Sequence, residues 1–345
     1  RNVIHKEIMA PVLGYVGNIS KQEIFNNPEL AKYSGLKVGK TGIEKDLDSD
    51  LRGNIGFRIQ ERDSYGKLVR NISIEPPKKG KNLRLSIDLE LQKKLFYDFK
   101  GRKGALVAIE PKTGLIRALI SSPTYDPNLL NTINDYDEVR NLFSDQDSPL
   151  FNRALSGQYP PASTLKPFVG MAALEAKTIS WEKEILDSGE YLVEGDERPY
   201  RGWKEGGHGK VDMNKAIIES SDVYFYSLAY DLTVRNLSPF LEKFGFGEQS
   251  GLTKREGKGI LPSRKWKLGY KGESWFKGDT INMGIGQGYI TATPLQIAVA
   301  YSALANKGEL VQPRIVEKIG EENTETVIKK NLSLIHISEP TRPSS

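Results

Sequence analysis

The sequence contains no cysteine, which excludes disulfide bonds and thiolate metal sites but does not indicate a compartment. It also lacks any apolar run approaching the ~20 residues of a membrane-spanning helix, and no signal peptide opens it. Charge of one sign is in only mild excess, since the formal net charge is +5 and basic and acidic residues are interspersed. We therefore predict no nucleic-acid partner. Because the chain begins at Arg1 rather than at Met, we expect the natural protein to extend further at this end.

The texture of the sequence changes near residue 80. Residues 1–80 are mixed and predicted to be loop-rich, and 74–81 indicate a boundary, because prolines and a glycine stop regular structure there. Beyond it, Asp88 is placed to cap a helix whose apolar residues recur at i, i+4 and i+8. Those residues are Leu91, Leu95 and Phe99.

Two strands and several helices are predicted after this helix. The segments 105–109 and 115–120 are apolar and are joined by Pro-Lys-Thr-Gly at 111–114, which predicts a hairpin. Helical patterns then cover 164–176, 213–243 and 294–306. A hairpin followed by helix-rich sequence favours an α+β fold over alternating βαβ units.

The pattern Ser-x-x-Lys is common in this chain, beginning at Ser34, Ser64, Ser163, Ser180 and Ser274. The context of Ser163 is distinct, because two prolines precede it and a helical run follows, with Pro167 tolerated in its first turn. At i, i+3 the Lys166 amine shares a helix face with the Ser163 hydroxyl. A serine needs a neighbouring base to become a nucleophile, and burial with the positive helix end favours a neutral lysine. The simple alternative is a serine cap followed by a solvated lysine.

A second motif, Ser220-Ser221-Asp222, lies on a predicted turn between helices, the first of which has Asp212 as its cap. Together with Ser163 and Lys166 it resembles the site of penicillin-binding proteins and serine β-lactamases. Longer stretches resemble the class B penicillin-binding proteins, above all the elongation-type penicillin-binding protein 2. These stretches are 12–17, 38–45, 159–167, 207–212 and 284–294.

This resemblance implies a fold and a domain organisation. The fold class is α+β, a β-lactamase and transpeptidase-like domain with an incomplete central antiparallel sheet and helices, preceded by a partial pedestal of the dimerisation type. The expected domains are a non-catalytic pedestal over 1–84 and a transpeptidase domain over 85–331. A tail over 332–345 is expected to be non-native, because 332–342 resembles the translation of a common sequencing adapter.

The resemblance also implies a chemistry. Ser163 would attack a D-Ala-D-Ala stem peptide of peptidoglycan and form an acyl-enzyme, with Lys166 as base, Ser220 as proton relay and Asp222 orienting the polar network. The segment of Gly286, Gln287 and Gly288 is expected to line the substrate site. β-Lactams would act as inhibitors by mimicking the D-Ala-D-Ala end, and no cofactor is implied.

A cellular setting follows from the same resemblance. We expect the periplasmic side of the bacterial inner membrane, with an anchor helix outside this sequence, and a role in cell elongation and shape. The expected partner is a polytopic glycosyltransferase of the elongation machinery.

The chain departs from the family pattern in its third motif. Lys-Thr-Gly occurs at 40–42 and 112–114, both before Ser163, whereas the family places it on a strand well after 286–288. We therefore expect residues 1–345 alone to be inactive. Some relatives carry a zinc site of two Asp, a His and a Cys. Asp187 and His208 match two of those positions, but glycine and serine occupy the others, so no metal site is predicted and His208 is interpreted as an ordinary loop residue.

Two alternatives belong to other classes. Residues 34–41 nearly form a phosphate-binding loop, but a serine replaces the first glycine and no apolar strand precedes it, and the glycines of 284–288 miss the dinucleotide spacing. The second alternative is a non-catalytic penicillin-binding scaffold or sensor. The pedestal-like first 80 residues favour the transpeptidase, because sensors and β-lactamases lack that domain.

Overall fold

The computed structural model describes residues 2–33, 35–99, 101–131, 136–193, 195 and 198–332. These residues fall into two compact units. The first draws on the described parts of 1–106, 115–152 and 314–325, and the second on those of 107–114, 153–313 and 326–345. The predicted domains, 1–84 and 85–331, are continuous segments, whereas each of these units combines several segments. The division at residue 84 stays a prediction. The predicted tail, 332–345, lies outside the described residues apart from Leu332.

The helices of the described residues, in chain order, are α1 (Lys6–Leu13), α2 (Lys21–Asn26), α3 (Gly42–Asp46), α4 (Asp48–Arg52), α5 (Leu89–Phe99), α6 (Pro127–Asn131), α7 (Tyr136–Ser144), α8 (Arg153–Ser156), α9 (Lys166–Glu175), α10 (Met213–Ile218), α11 (Asp222–Lys243), α12 (Arg264–Lys271), α13 (Lys277–Gly284) and α14 (Pro294–Ala305). Short 3-10 helices cover Pro28–Tyr33 and Ala162–Leu165. Among the described residues, no helix is both long enough and apolar enough to cross a membrane.

The strands of the described residues are β1 (Val16–Asn18), β2 (Lys37–Gly39), β3 (Phe57–Arg62), β4 (Leu68–Glu75), β5 (Leu83–Leu85), β6 (Gly104–Ile109), β7 (Ile116–Ser122), β8 (Ile185–Asp187), β9 (Glu190–Tyr191), β10 (Tyr200–Arg201), β11 (Gly209–Val211), β12 (Glu309–Val311), β13 (Val316–Ile319), β14 (Glu322–Asn323) and β15 (Ile328–Asn331).

Residues 1–80 contain more regular structure than the predicted loops. Helix α1 forms despite Pro11 in its interior, because Met9, Ala10 and Val12 are buried and this packing outweighs the lost backbone donor. Ser20 and Glu23 close a capping box at the start of α2.

The two early stretches that carry the family resemblance meet in the first unit. Strand β1 pairs antiparallel with β2, with Val16 opposite Gly39. Gly14 sits at φ +74°, and a Cβ there would lie 2.1 Å from the carbonyl oxygen of Thr41. Only glycine therefore fits where the chain enters β1.

The predicted helix and hairpin after residue 84 are confirmed. The Asp88 carboxylate accepts hydrogen bonds from the backbone N–H groups of Glu90 and Leu91 at the start of α5. Gln92 is fully buried, and its side chain donates to and accepts from the backbone of Leu119, which ties α5 to β7. Strands β6 and β7 form a two-stranded sheet joined by the turn that ends at Gly114.

The second unit is built on helices. The long helix α11 packs against α9 and α13. The buried ring of Phe168, in α9, makes edge-on contacts with the rings of Phe244, Phe246 and Tyr301, at 5.0–5.5 Å between centroids. The predicted helical segments are confirmed, with a break within α11 at Thr233, whose φ is 57°.

Strands β12 to β15, which follow residue 305, are divided between the two units. In the first unit, β13 lies between β5 and β14. In the second, β12 pairs antiparallel with β15. The hairpin of β6 and β7 lies where the sequence predicted strands of the central sheet, and the incompleteness of that sheet stays a prediction.

Candidate active site

Ser163 and Lys166 lie at the junction of a 3-10 turn with helix α9. Ser163 belongs to the turn Ala162–Leu165 and is exposed, whereas Lys166 begins α9 and its side chain is 2% exposed. The turn is entered through Ala162 at φ 49°, a left-handed conformation that is unfavourable for alanine. A hydroxyl open to solvent thus lies one turn from a buried amine.

The second motif reaches the same place from the gap between α10 and α11. The Asp212 carboxylate caps α10, as predicted, and the Ser221 hydroxyl caps α11 by accepting from the backbone N–H of Tyr224. Between these caps the backbone of Ser220 adopts a left-handed conformation, with φ 54°. This turn directs its hydroxyl at Ser163, with 3.0 Å between the two Oγ atoms.

The Lys166 amine is held by the second motif. Its Nζ donates to the Ser220 carbonyl oxygen at 2.7 Å, to Ser220 Oγ at 3.0 Å and to Asp222 Oδ1 at 2.6 Å. Burial lowers the pKa of Lys166, and the hydrogen bond and charge of Asp222 oppose that shift. The sequence predicted that Lys166 reaches Ser163 along the helix face; the structure places Ser220 Oγ between them.

The three side chains can therefore pass a proton. A serine hydroxyl both donates and accepts, so Ser220 can take a proton from Ser163 Oγ while giving its own to a neutral Lys166. The reverse order of donation, from lysine to Ser220 to Ser163, returns a proton toward the nucleophile. Such a relay suits acyl transfer, which needs a base in one half-reaction and an acid in the other.

The glycine segment predicted to line the substrate site contacts the turn Ala162–Leu165, which carries Ser163. The carbonyl oxygen of Gly286 accepts from the backbone N–H of Ala162 at 2.9 Å. Gly286 has φ +69°, and a Cβ there would lie 2.2 Å from the Ala162 oxygen. A further backbone bridge joins Tyr159 to Ala292. The observed contacts show that Gly286 holds the turn Ala162–Leu165. Contact of Gly286, Gln287 and Gly288 with substrate stays a prediction.

Asp187, His208 and Ser221 form a buried cluster behind the second motif. Asp187 Oδ2 accepts from Ser221 Oγ at 2.6 Å and lies 2.6 Å from His208 Nδ1. His208 lies in the loop before β11, as predicted, and its hydrogen bond to Asp187 is accompanied by a side chain that is only 2% exposed. Its Nε2 has no partner among the described residues. Burial would raise the pKa of Asp187, but hydrogen bonds from Ser221, His208 and Gly189 outweigh it and lower that pKa.

The residues of this cluster do not fit a zinc site. Where a thiolate would be needed, Ser221 donates a hydrogen bond to Asp187, and Gly202 offers no ligand. Among the described residues, no group of three potential metal-ligating side chains comes together. No step is therefore assigned to a metal.

Trp203 is a neighbour of the site that the sequence did not single out. It lies between β10 and β11, and it donates hydrogen bonds to Ser220 and Asp222. A single aromatic residue in a glycine-rich stretch carries no motif, so no sequence signal identified it. Both early Lys-Thr-Gly triplets lie elsewhere, 40–42 at the start of α3 and 112–114 in the hairpin turn.

Family models match both parts of the chain. Residues 104–338 match the penicillin-binding protein transpeptidase domain, and residues 1–85 match the penicillin-binding protein dimerisation domain. The chain belongs to the penicillin-binding proteins that carry these two domains. The predicted family and fold class are thereby confirmed.

Curated relatives agree with this assignment. The chain is 40% identical over 314 residues to the peptidoglycan D,D-transpeptidase MrdA of Acinetobacter baumannii, covering 90% of the chain and 47% of that protein. It is 39% identical over 324 residues to MrdA of Haemophilus influenzae, covering 92% of the chain and 50% of that protein. The chain thus spans about half the length of the curated relatives it matches.

Solved structures are similar in fold. The Pseudomonas aeruginosa PBP2 structure aligns with a TM-score of 0.84 and 38% identity, covering 95% of this chain and 70% of that one. PBP2 from Helicobacter pylori, solved as a complex with MreC, aligns with a TM-score of 0.85 and 33% identity, covering 93% of this chain and 59% of that one.

Proposed function

We propose that the protein is a peptidoglycan D,D-transpeptidase that cross-links stem peptides through an acyl-enzyme on Ser163. The observation that carries the proposal is the continuous contact from Ser163 Oγ to Ser220 Oγ to Lys166 Nζ, with 3.0 Å at each step. The similarity to the MrdA transpeptidases supports the substrate class. These contacts lie within the second unit of the chain.

Acylation begins at the penultimate D-Ala of a stem peptide. Ser163 Oγ forms a bond to its carbonyl carbon while the hydroxyl proton moves to Ser220 and the Ser220 proton moves to neutral Lys166. The carbonyl oxygen becomes an oxyanion, and the backbone N–H of Ser163 supplies one hydrogen bond to it. The peptide C–N bond then breaks, and a proton returns from Lys166 through Ser220 to the leaving amine of the terminal D-Ala.

The second half-reaction uses the same groups. An amine from a neighbouring strand attacks the Ser163 ester, loses its proton to the relay and displaces Ser163 Oγ, which regains a proton. Asp222 orients the relay, because its carboxylate holds the amine of Lys166 at 2.6 Å. β-Lactams would acylate Ser163 in the same first step and act as inhibitors. No cofactor takes part in this scheme.

The setting follows from the relatives. We infer a place in cell elongation and shape maintenance at the periplasmic side of the inner membrane, with an anchor helix beyond this sequence. A polytopic glycosyltransferase is the inferred partner. A structure titled for the coordination of polymerization and crosslinking by a peptidoglycan synthase complex, with a TM-score of 0.80 and 30% identity, supports a polymerising partner. The Helicobacter pylori PBP2 complex with MreC supports assembly with other proteins.

Within the chain, we infer that residues 1–84 form a non-catalytic pedestal and residues 85–331 the transpeptidase domain. The Lys-Thr-Gly triplets of the chain lie at 40–42 and 112–114. The Lys-Thr-Gly motif of a transpeptidase is expected after 286–288, where it would bind the substrate carboxylate and supply the second oxyanion donor. Loss of one such donor costs roughly 10²–10³ in rate. Residues 1–331 expressed alone should therefore label weakly with penicillin. Equal labelling of 1–331 and the complete gene product would contradict this inference.

The test of function is labelling of the complete gene product with a fluorescent penicillin. We expect stoichiometric labelling of the wild type and none of Ser163→Ala, with the same melting temperature for both, because an exposed hydroxyl contributes little packing. Ser274→Ala, at another Ser-x-x-Lys, is the matched control and should label normally. Absence of labelling in the wild type would favour a non-catalytic scaffold or sensor.

A further inference from the structure

Trp203 donates hydrogen bonds to both groups that hold the Lys166 amine. Its indole Nε1 donates to the Ser220 carbonyl oxygen at 3.1 Å, which also accepts from Lys166 Nζ at 2.7 Å. Its backbone N–H donates to Asp222 Oδ2 at 3.0 Å, while Asp222 Oδ1 accepts from Lys166 at 2.6 Å. The lysine and the tryptophan thus share two acceptors.

This sharing bears on the charge of the lysine. A carbonyl dipole and a carboxylate both stabilise an ammonium ion, and an N–H group donated to the same acceptor weakens that attraction. Among the described residues, the charged groups that face Lys166 are Asp222, in direct contact, and Asp187 at longer range. The ring of Phe225 lies 5.7 Å from Lys166 Nζ. Burial already disfavours the charged form, so the balance depends on how strongly these acceptors hold the proton.

The position of Trp203 is fixed from its other side. Its ring contacts the ring of His208, with 5.5 Å between centroids and 60° between planes, and His208 is held by Asp187. The tryptophan itself is 64% exposed. Burial of apolar surface therefore does not account for its placement, whereas its two hydrogen bonds do.

We propose that Trp203 is a positioning residue of the catalytic relay. Its hydrogen bonds fix Ser220 and Asp222 and weaken the attraction of these two acceptors for the Lys166 ammonium group, so that the lysine can work as a base. The proposal rests on the proposed acyl-transfer function of Ser163. Trp203 acts through the acceptors of Lys166, the Ser220 carbonyl and the Asp222 carboxylate.

The test compares Trp203→Phe with Trp275→Phe in the complete gene product. Phenylalanine at 203 keeps a ring beside His208 and loses the indole N–H. Trp275 is the matched control, because its indole also donates one hydrogen bond, to Thr280 Oγ1 at 2.8 Å, away from the acceptors of Lys166. Melting temperatures of both variants verify folding.

The first readout is the pH profile of acylation by a fluorescent penicillin. For Trp203→Phe we expect the ascending limb to move to higher pH by about half to one unit, because a hydrogen bond of ordinary strength is worth roughly that shift. The limb of Trp275→Phe should not move. An unmoved limb for Trp203→Phe, or an equal movement in both variants, would overturn the proposal.

The second readout is independent of acylation. Lysines labelled with ¹³C at Cε report the titration of Lys166 by NMR, assigned by the loss of its signal in Lys166→Arg. The midpoint should rise in Trp203→Phe and stay fixed in Trp275→Phe. If the wild type is not acylated at all, the proposed function fails, while this titration still supports or overturns the role of Trp203.

Discussion

Ser220 Oγ donates a hydrogen bond to Ser163 Oγ across 3.0 Å and accepts one from Lys166 Nζ, also at 3.0 Å. A protonated lysine requires this direction, because an ammonium group can only donate. With a neutral lysine the hydroxyl protons turn around, and Ser163 becomes the donor. In the proposed reaction, the charge of Lys166 therefore decides whether Ser163 can give up its proton.

Removing the relay hydroxyl should slow acylation without unfolding the protein. In Ser220→Ala the backbone carbonyl still holds Lys166, but the path from Ser163 is broken. We expect a loss of at least about 10²-fold in the rate of labelling by a fluorescent penicillin, as for removal of a general acid or base. Ser188→Ala removes a hydroxyl that donates to the Glu190 backbone and should label normally. Equal rates in both variants would exclude the relay.

The pH dependence of acylation should follow Lys166. Burial lowers its pKa against the opposing effect of Asp222. Since only the neutral amine accepts a proton, the rate should rise as pH increases through that lowered pKa, below the ordinary range of a lysine. Lys166→Arg stays charged, so the ascending limb should vanish together with most of the activity. Lys267, a buried lysine paired with Asp279, provides the control Lys267→Arg, which should keep the limb.

Gly286→Ala should damage both stability and acylation. The new Cβ would lie 2.2 Å from the Ala162 oxygen and would displace the turn that carries Ser163. We expect a loss of about 2–5 kcal/mol in the free energy of unfolding, from backbone strain together with overpacking. Gly272→Ala has a similar φ of +70° with nothing within 4 Å of its Cβ, so about 1 kcal/mol is expected there. Denaturant unfolding and penicillin labelling of both variants check this.

Asp187→Asn should destabilise the second unit. The carboxylate accepts from Ser221 Oγ and Gly189 N, and an amide leaves one of these buried donors unsatisfied, at a cost of about 1–3 kcal/mol. Asp212→Asn is the control, because asparagine caps a helix as well as aspartate does.

The lowered pKa of Asp187 determines how its contribution to the free energy of unfolding changes with pH. Since hydrogen bonds hold its pKa below the ordinary value despite burial, its contribution to stability is present above that ordinary value. It is lost as pH falls through the lowered pKa. The advantage of the wild type over Asp187→Asn in denaturant unfolding should therefore shrink only in strongly acidic solution, and a constant advantage would contradict it.

Much of the site could be predicted because its geometry is local. Ser163 and Lys166 are three residues apart at the start of a helix, so their proximity follows from helical periodicity. Likewise, Asp212 marks the start of α10 and places Ser220 on the following turn. The α+β class followed from one hairpin and the helical patterns after it.

The remaining features depend on contacts between distant parts of the chain. The closeness of Gly286 to Ala162 arises from backbone packing, which no side-chain pattern records. Trp203 donates from its indole N–H and its backbone N–H to residues 17 and 19 positions away, and no motif records such a contact. Residues 1–80 were predicted to be loop-rich, whereas α1 forms there with buried residues whose packing outweighs its interior proline.

The most direct test of the account is mass spectrometry of the complete gene product after reaction with penicillin, digested and mapped for the acylated residue. The account predicts one adduct per molecule, on the peptide that contains Ser163, and its loss in Ser163→Ala. An adduct on a serine of another Ser-x-x-Lys pattern, such as Ser180, or no adduct on a folded protein, would contradict the assignment of Ser163 as the nucleophile.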